Sequence, residues 1–593
     1  MRDCLTHRGP DEAGHYLGDG VGLGHRRLSI IDLGSGQQPM QTGDGRFVLS
    51  YNGEIYNYRE LRAELESSGV RFKTHSDTEV ILRLHVRDGD AAVARLNGIF
   101  AYSLWDSHTR RLLLVRDRAG IKPLYYAVAP GGVAFASEIK ALFKSGLCTP
   151  RLNQSAIPEY LLFNQVVDPA GLFSGVASVP PGHMMEVVEG RPATPRQYWT
   201  VLDRIEPFAG TYAQAVDALD ATLNSAISSQ MMSDVPLGTF CSGGIDSSLV
   251  TAIASRHASQ PINTFSVGFE ERSYDESAYA RQVATACGTR HHELKVSESE
   301  YARLLPKLVW HLDLPLNFAN SVHIFAVSEL AKKHVTVVLT GEGADELLGG
   351  YPRYYIPRLL APVHVLPAPV RRGLAALAGA FADHRVRKLC YFAGRSAQEA
   401  IVLNCANVEI DAVRGILGKG ASPQLGARNA MLETARQRGF QPIDALMALD
   451  FQTYLASILD RQDKMSMAAS VEARVPFLDN NVIDFARSLP LGFKQTAKQR
   501  KRVLQDVALR YLPPEVVHRP KSGFGVPLPN WFAGEGPVAK LLAEALASRE
   551  ITELFEPRAL APLLAQQRDG SRDNATLLWG LLNLYVWRSS FGV

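Results

Sequence analysis

Ser242-Gly243-Gly244-Ile245-Asp246-Ser247-Ser248 separates the apolar run Leu237 to Cys241 from a helix-periodic segment, Ile245 to Ser255. A strand that enters a helix through paired glycines is the junction of a parallel α/β sheet. The glycines let backbone amides approach an anion, and the helix N-terminus adds partial positive charge. The serine hydroxyls and the Asp246 carboxylate complete a setting for phosphate and Mg2+. Taken alone, the same residues also describe an ordinary Gly-Gly turn with a serine cap. No lysine follows the glycines in the Walker position, which argues against a standard P-loop NTPase.

The alternation continues outward. Asn263 to Phe269 precedes a helix over Ser277 to Ala286, His291 to Val296 precedes Ser297 to Leu312, and a helix over Val322 to Lys333 precedes Val335 to Thr340. Strands alternating with helices predict a doubly wound parallel sheet, whose ligands bind beyond the carboxyl ends of the strands. The residues after Cys241, Ser266 and Thr340 should therefore face one crevice. Thr340-Gly341-Glu342-Gly343-Ala344-Asp345-Glu346 falls there. Its glycines free the backbone, Asp345 offers a second carboxylate to a pyrophosphate-bound Mg2+, and Glu342 is placed for proton transfer. The bland alternative is an acidic solvated loop. Beyond Gly350 the pattern is mainly helical.

Ahead of this region, Gly14 to about Leu142 reads as short strands joined by glycine-containing turns. Examples are the Gly18-Asp19-Gly20 turn, Arg46 to Tyr51, Ile99 to Trp105, Arg111 to Val115 and a hairpin around Gly131-Gly132. One helix, Tyr58 to Ser68, interrupts them, which predicts an antiparallel α+β layered domain. A Pro-rich segment, Val179 to Pro207, closes it before the helix-periodic Thr211 to Met232. Two separately cored domains are expected, 1–205 and 206–593.

Composition excludes whole classes. Hydrophobic residues make up 46% and charged residues 21%, with 48 Gly and 33 Pro, unlike disordered, collagenous or small disulfide-scaffold chains. The balance of 63 Lys+Arg against 60 Asp+Glu gives +3, so no global charge draws the chain to nucleic acid or to an anionic membrane. The six cysteines stand singly, with no C-x-x-C pair to suggest zinc or redox chemistry. The N-terminus lacks a signal-peptide apolar region, and Leu359 to Phe381 is broken by prolines and arginines. These features predict a soluble cytoplasmic protein.

S-G-G-I-D-S-S followed by T-G-E-G-A-D-E resembles the synthetase domain of glutamine-dependent asparagine synthetases. The resemblance continues through Arg461-Gln462-Asp463-Lys464-Met465-Ser466-Met467, Glu472-Ala473-Arg474-Val475-Pro476-Phe477-Leu478-Asp479 and Arg519-Pro520-Lys521-Ser522-Gly523-Phe524. It also covers His7-Arg8-Gly9-Pro10-Asp11, Arg27-Leu28-Ser29-Ile30-Ile31-Asp32, Asn52-Gly53-Glu54-Ile55-Tyr56-Asn57, Ser76-Asp77 and Arg116-Asp117-Arg118, so nearly the whole chain is spanned in family order.

The resemblance implies an N-terminal nucleophile (Ntn) glutaminase that releases ammonia. It also implies an ATP-pyrophosphatase domain that adenylates a carboxylate and lets ammonia displace AMP. By position, Arg27, Leu28, Ser29, Ile30, Ile31, Asn52, Gly53, Glu54 and Asp77 would hold glutamine; a guanidinium suits its α-carboxylate and an acid its α-ammonium. Phe240, Val267, Thr340 and Gly341 would surround adenosine. Ser242, Gly243, Gly244, Ser247 and Ser248 would hold pyrophosphate, and Asp246 and Asp345 Mg2+. Lys501, preceding Tyr511-Leu512-Pro513, would stabilise charge on the α-phosphate, and Glu342 would take a proton from attacking ammonia. Without the family spacing, Lys501 is a surface lysine in the basic run Lys498 to Arg502.

Two departures from the family stand out. Its nucleophile is a cysteine directly after the initiator methionine, well ahead of the His-Arg-Gly-Pro-Asp motif. Here that motif starts at His7, and Cys4 sits at the end of a predicted helix, so no glutaminase nucleophile is assigned. The opening strand is expected to be missing and the glutaminase half inactive in the chain as written. A start site called too far downstream is favoured over a disabled enzyme. The second departure concerns the acceptor: His311-Leu312-Asp313-Leu314-Pro315 and Asn320-Ser321 replace an Asp-Glu-x-x-x-Asp-Ser-Ser pattern. The resulting expectation is an AMP-forming asparagine synthetase using ATP, Mg2+, aspartate, and glutamine or ammonia. It has no nucleic-acid or membrane partner, and a homodimer is left open. The alternatives are amidation of a peptide, glycan or specialised metabolite, and a catalytically silent homologue.

Overall fold

Leu237–Phe240 and Val337–Leu339 are short and largely apolar, the second fully buried and the first buried at its centre, as suits strands covered on both faces. In the computed structural model, which describes residues 1–271, 273–376, 384–417, 423, 425–519 and 525–593, they lie side by side in a five-stranded sheet. Its order is Arg290–Val296, Asn263–Phe269, Leu237–Phe240, Val337–Leu339, Glu472–Arg474. Every neighbouring pair is parallel. From Leu237–Phe240 the chain builds outward to one side, then returns to build the other. The reversal between Leu237–Phe240 and Val337–Leu339 is therefore a topological switch point, where such sheets open a crevice for ligands.

Helices Ile245–His257, Ser277–Cys287, Glu298–Leu312 and Ser321–Lys332 fill the expected intervals. Ser297 caps the third, its side chain accepting from the Glu300 amide, as a serine before an apolar-periodic run should. The edge strand Glu472–Arg474 was not anticipated. Its motif was legible, but three residues with a charge at either end carry no strand pattern.

The N-terminal part is layered and antiparallel. Its main sheet runs Arg191–Pro192, His183–Val188, Arg111–Arg116, Gly98–Asp106, Phe47–Ile55, Met40–Gln41, with Arg196–Gln197 also paired to His183–Val188. The hairpin Glu12–Gly18 with Val21–Arg27 stands beside it. The expected helix spans Tyr58–Ser67, and a second, unexpected one spans Asp77–Asp88. Ser76 caps the second helix, and Val80, Ile81 and Leu84 bury its inner face.

The cores are not fully separate, although smaller apolar clusters belong to one part alone. One apolar cluster joins Tyr160, Leu161 and Phe173 from the N-terminal part to Leu219, Leu308 and Trp587 beyond it. Tyr160 also donates its hydroxyl proton to the Gly580 carbonyl across 3.0 Å. Helix Ala575–Phe591 is buried around most of its circumference, and that is why it can be shared. Among the described residues no helix is long and apolar enough to cross a membrane. Pro520 to Phe524, part of the motif that begins at Arg519, lie outside the described residues.

Candidate active sites

The two glycine-rich loops leave the strands that flank the switch point and meet over it. A Cβ placed on Gly341 would lie 2.7 Å from the Ser247 backbone nitrogen and 2.9 Å from Asp246, so only glycine permits this approach. Gly350 admits a second close contact: its Cβ would fall 1.8 Å from Asp345 Oδ1 and 2.3 Å from Lys501 Cε. Between the loops opens a cleft of about 600 Å3. Phe240, Ser242, Gly244, Asp246, Ser247, Val267, Thr340, Gly341, Glu342, Asp345 and Lys501 all line it. Gly243 and Ser248 do not. Gly243, at φ +73, packs under helix Ser277–Cys287, and Ser248 is fully buried below the wall.

Lys501 is the centre of charge in this cleft. Its ammonium donates to both Asp246 carboxylate oxygens at 2.7 Å and lies 2.8 Å from Asp345 Oδ1. Burial alone would favour the neutral amine, but the two carboxylates outweigh it and hold the Lys501 pKa above the ordinary lysine range. Lys501 adopts a left-handed φ of 51° just before helix Arg502–Ala508, which turns a residue of a surface-like basic run inward. Ser242 and Ser247 are joined hydroxyl to hydroxyl at 3.1 Å beside the Ile245–His257 N-terminus, which has no side-chain cap and leaves its first amides to a ligand.

Glu342 faces the same space. Its surroundings, chiefly burial and then Asp345 and Asp246, push its pKa above the ordinary carboxylate value against the pull of Arg461 and Lys501. Arg461 donates to Glu342 Oε1 at 3.0 Å and to Asn320 Oδ1 at 2.7 Å. Arg461 and Arg519, which contributes a further cation near Gly244, were within quoted motifs but had been given no role. Only the convergence of distant segments reveals their place.

A second cavity, of about 660 Å3, lies in the N-terminal part. Arg27, Leu28, Ile30, Ile31, Asn52, Gly53, Glu54 and Asp77 line it; Ser29 does not, and its amide donates to Asp11 Oδ2 at 2.8 Å. Arg27 donates to the Ile31 and Asp32 carbonyls at 2.9 and 2.7 Å and pairs with Glu12, so it braces the loop that forms one wall. Asp77, at the start of helix Asp77–Asp88, accepts from the Tyr51 hydroxyl at 2.8 Å; burial raises its pKa. The Glu54 carboxylate accepts from Arg474 at 2.8 Å, a bond across the two parts of the molecule. Among the described residues no thiol lines this cavity. Cys4, on the short 3-10 turn Arg2–Leu5, donates its thiol proton to the Met1 carbonyl at 2.9 Å, and burial raises its pKa.

An antiparallel layered domain with a polar cavity, joined to a switch-point sheet with two converging glycine-acid loops, defines an Ntn-type amidotransferase fused to an ATP-pyrophosphatase domain. The model of the asparagine synthase family matches residues 218–589, and that of the glutamine amidotransferase domain matches residues 1–199. The chain belongs to the asparagine synthase family, and with it to the carbon–nitrogen ligases. It is 34% identical to asparagine synthetase [glutamine-hydrolyzing] 1 of Bacillus subtilis, covering 99% of this chain and 93% of the relative. A putative asparagine synthetase [glutamine-hydrolyzing] of Mycobacterium bovis is 36% identical, over 99% and 92%. Amidase chry2 of Gibberella zeae is 28% identical, over 93% and 88%.

Proposed function

We propose that residues 206–593 form an ATP-dependent synthetase that converts aspartate to asparagine with ammonia, and that residues 1–205 form its glutamine-binding partner domain. A carboxylate oxygen of aspartate attacks the α-phosphorus of ATP, pyrophosphate leaves, and an acyl-adenylate results. Ammonia then attacks the acyl carbon, Glu342 accepts a proton from the nitrogen, and the carbon–oxygen bond to AMP breaks. The observation that carries this reading is the Lys501 ammonium clamped between Asp246 and Asp345 at the mouth of the glycine-rich loops. A cation fixed there before substrate arrives can stabilise charge that grows on the α-phosphate without reorganising.

Asp246 and Asp345 both reach one Lys501 nitrogen, so they lie close enough to share an ion, and hard carboxylate oxygens suit Mg2+. Bound there with pyrophosphate, Mg2+ would neutralise the leaving group. The runner-up, amidation of a larger specialised carboxylate, draws support from the amidase similarity. A silent homologue is opposed by the assembled Asp246, Glu342, Asp345 and Lys501 set. All six cysteines are unpaired, in keeping with a reducing cytoplasm.

We read Cys4 as no nucleophile, because its thiol is turned to the Met1 carbonyl and Cys4 is not among the described residues that line the N-terminal cavity, and the glutaminase half as inactive. ATP–pyrophosphate exchange with a panel of carboxylates tests the synthetase assignment. Exchange is expected with aspartate; exchange with none of them would remove the nucleotide-site reading, and exchange only with larger acids would favour the runner-up.

A further inference from the structure

The stretch from Leu359 to Phe381 reads as apolar but broken by prolines and arginines. The described residues there form helix Ile356–His364, a turn, and helix Ala368–Ala376, both in contact with helix His384–Ala393. The inner side of this group is closed, with Leu360 and Phe392 buried. The outer side is not. Val365 is 85% exposed and Val370 50%, and Leu359, Leu366 and Leu374 are exposed as well. Single exposed apolar residues need no account, but five within residues 359–374 form a patch, with Val370 and Leu374 one helical turn apart. Arg371 donates to the Leu366 and Arg395 carbonyls and so fixes the turn that carries Val365 and Leu366.

The same segment is basic. Residues 356–395 hold seven Arg and Lys against one acid, Asp383. Arg395 is engaged by Glu399 and Asp411, whereas Arg358, Arg372, Arg387 and Lys388 are exposed and have no carboxylate partner among the described residues. The whole-chain charge of +3 averages this concentration away, which is why it gave no sign of a membrane partner.

We propose that this face docks on an anionic lipid bilayer, with Val365, Leu366 and Val370 entering among the head groups while Arg358, Arg372, Arg387 and Lys388 meet lipid phosphates. Exposed apolar side chains flanked by unpaired cations are what an anionic bilayer surface satisfies at once, and helices of nine residues lie on such a surface rather than span it. A second copy fits less well, because a two-fold contact would set this basic face against itself. A nucleic-acid backbone would match the cations but leave Val365 and Val370 in water. A bound peptide would need a groove, and neither cavity described above reaches the segment. Tyr351 of the synthetase cleft precedes Ile356 by the single turn Pro352–Tyr355, so docking would hold the cleft near the bilayer. The inference does not depend on the adenylation reading.

The test is co-sedimentation of the full chain with vesicles of phosphatidylglycerol and phosphatidylcholine in equal parts, and with vesicles of phosphatidylcholine alone. The anionic vesicles should bind at least about tenfold more strongly at about 0.1 M salt, and the difference should shrink at about 0.5 M. Arg358→Gln, Arg372→Gln and Lys388→Gln together should lower partitioning about a hundredfold. Val365→Ser with Val370→Ser should lower it about tenfold with every charge kept. Leu17→Ser, at a residue 78% exposed on the N-terminal hairpin, should change nothing. All the altered side chains are exposed, so urea midpoints should match the parent protein, and the comparison of the two vesicle types needs no variant at all. Equal binding to both vesicles, or none to either, would overturn the proposal. So would binding that the cations control but the valines do not, which would assign the patch to a soluble polyanion. An oligomer that Val365→Ser with Val370→Ser dissociates in the absence of lipid would give the face to a second copy instead.

Discussion

The two cavities share one helix, Ala456–Met467, in their walls and hold their charges in different ways. Arg461 and Gln462 face the synthetase cleft, whereas Met467 lines the N-terminal cavity. In the cleft, opposite charges gather around a single Lys501 nitrogen on elements of the parallel-sheet part. In the N-terminal cavity Arg27 pairs with Glu12 of its own part, but Glu54 is tied to Arg474 of the other part at 2.8 Å, and close by Asp463 is tied to Arg8 at 2.7 Å and to Lys122 at 3.0 Å. Asp463 shows the balance. Burial alone would raise its pKa, but Arg8 and Lys122 hold it below the ordinary value. One site's charges are gathered by its own loops, while the other also depends on the contact between the two parts.

The largest expected effect breaks the first half of that contrast. Asp246→Ala or Asp345→Ala should abolish ATP–pyrophosphate exchange, a loss of at least about a thousandfold, and leave glutamine binding unchanged by calorimetry. Unchanged exchange in both would dismiss the two loops as a nucleotide site. Arg474→Ala attacks the second half. It strands the buried Glu54 and Glu472 carboxylates, so urea unfolding should show a loss of about 3–5 kcal/mol, and Glu54→Gln should recover part of it. A loss under about 1 kcal/mol would show that the contact is not a structural tie.

Lys501→Ala should cut adenylation about a hundredfold, near 3 kcal/mol, while ATP still binds, because the group acts mainly in the transition state. Equal loss of binding and chemistry would assign it a ground-state role. The smallest effect lies under the N-terminal cavity. His85 is buried against the Tyr102 hydroxyl at 2.7 Å, and burial lowers its pKa from 6.5 to about 4. A depressed folded pKa contributes stability above pH 6.5 that is lost as the pH falls towards 4, with a slope of at most about 1.4 kcal/mol per pH unit. His85→Gln should flatten that slope in urea midpoints measured between pH 7.5 and 4.5; an unaltered slope would place the dependence elsewhere.

Much of the sheet was legible because strand and helix alternate along the chain: Leu237–Phe240, Asn263–Phe269, Arg290–Val296 and Val337–Leu339 each hand over to a helix. Glu472–Arg474 escaped because its burial is secured by ion pairs from other segments rather than by apolar side chains. Helix Asp77–Asp88 was hidden in a different way. Its signal, Ser76 followed by Glu79 before an apolar run, was present, but Ser76-Asp77 was taken only as a ligand motif. Residue types and spacing singled out Asp246, Glu342 and Asp345, whereas Lys501 stood out only through the family resemblance. The pairing of Glu342 with Arg461 was not legible, because it joins a loop after one strand to a helix far along the chain and leaves no periodic trace.

The central claim is that the synthetase cleft is competent by itself whereas Cys4 is no glutaminase nucleophile. The most direct measurement follows AMP formation by the 593-residue polypeptide with ATP and aspartate, supplied with either ammonium chloride or glutamine, while glutamate is assayed in parallel. The account predicts AMP and asparagine with ammonium, little of either with glutamine, no glutamate release, and no change in Cys4→Ala. Glutamate release that disappears in Cys4→Ala, or AMP formation driven by glutamine but not by ammonium, would contradict it.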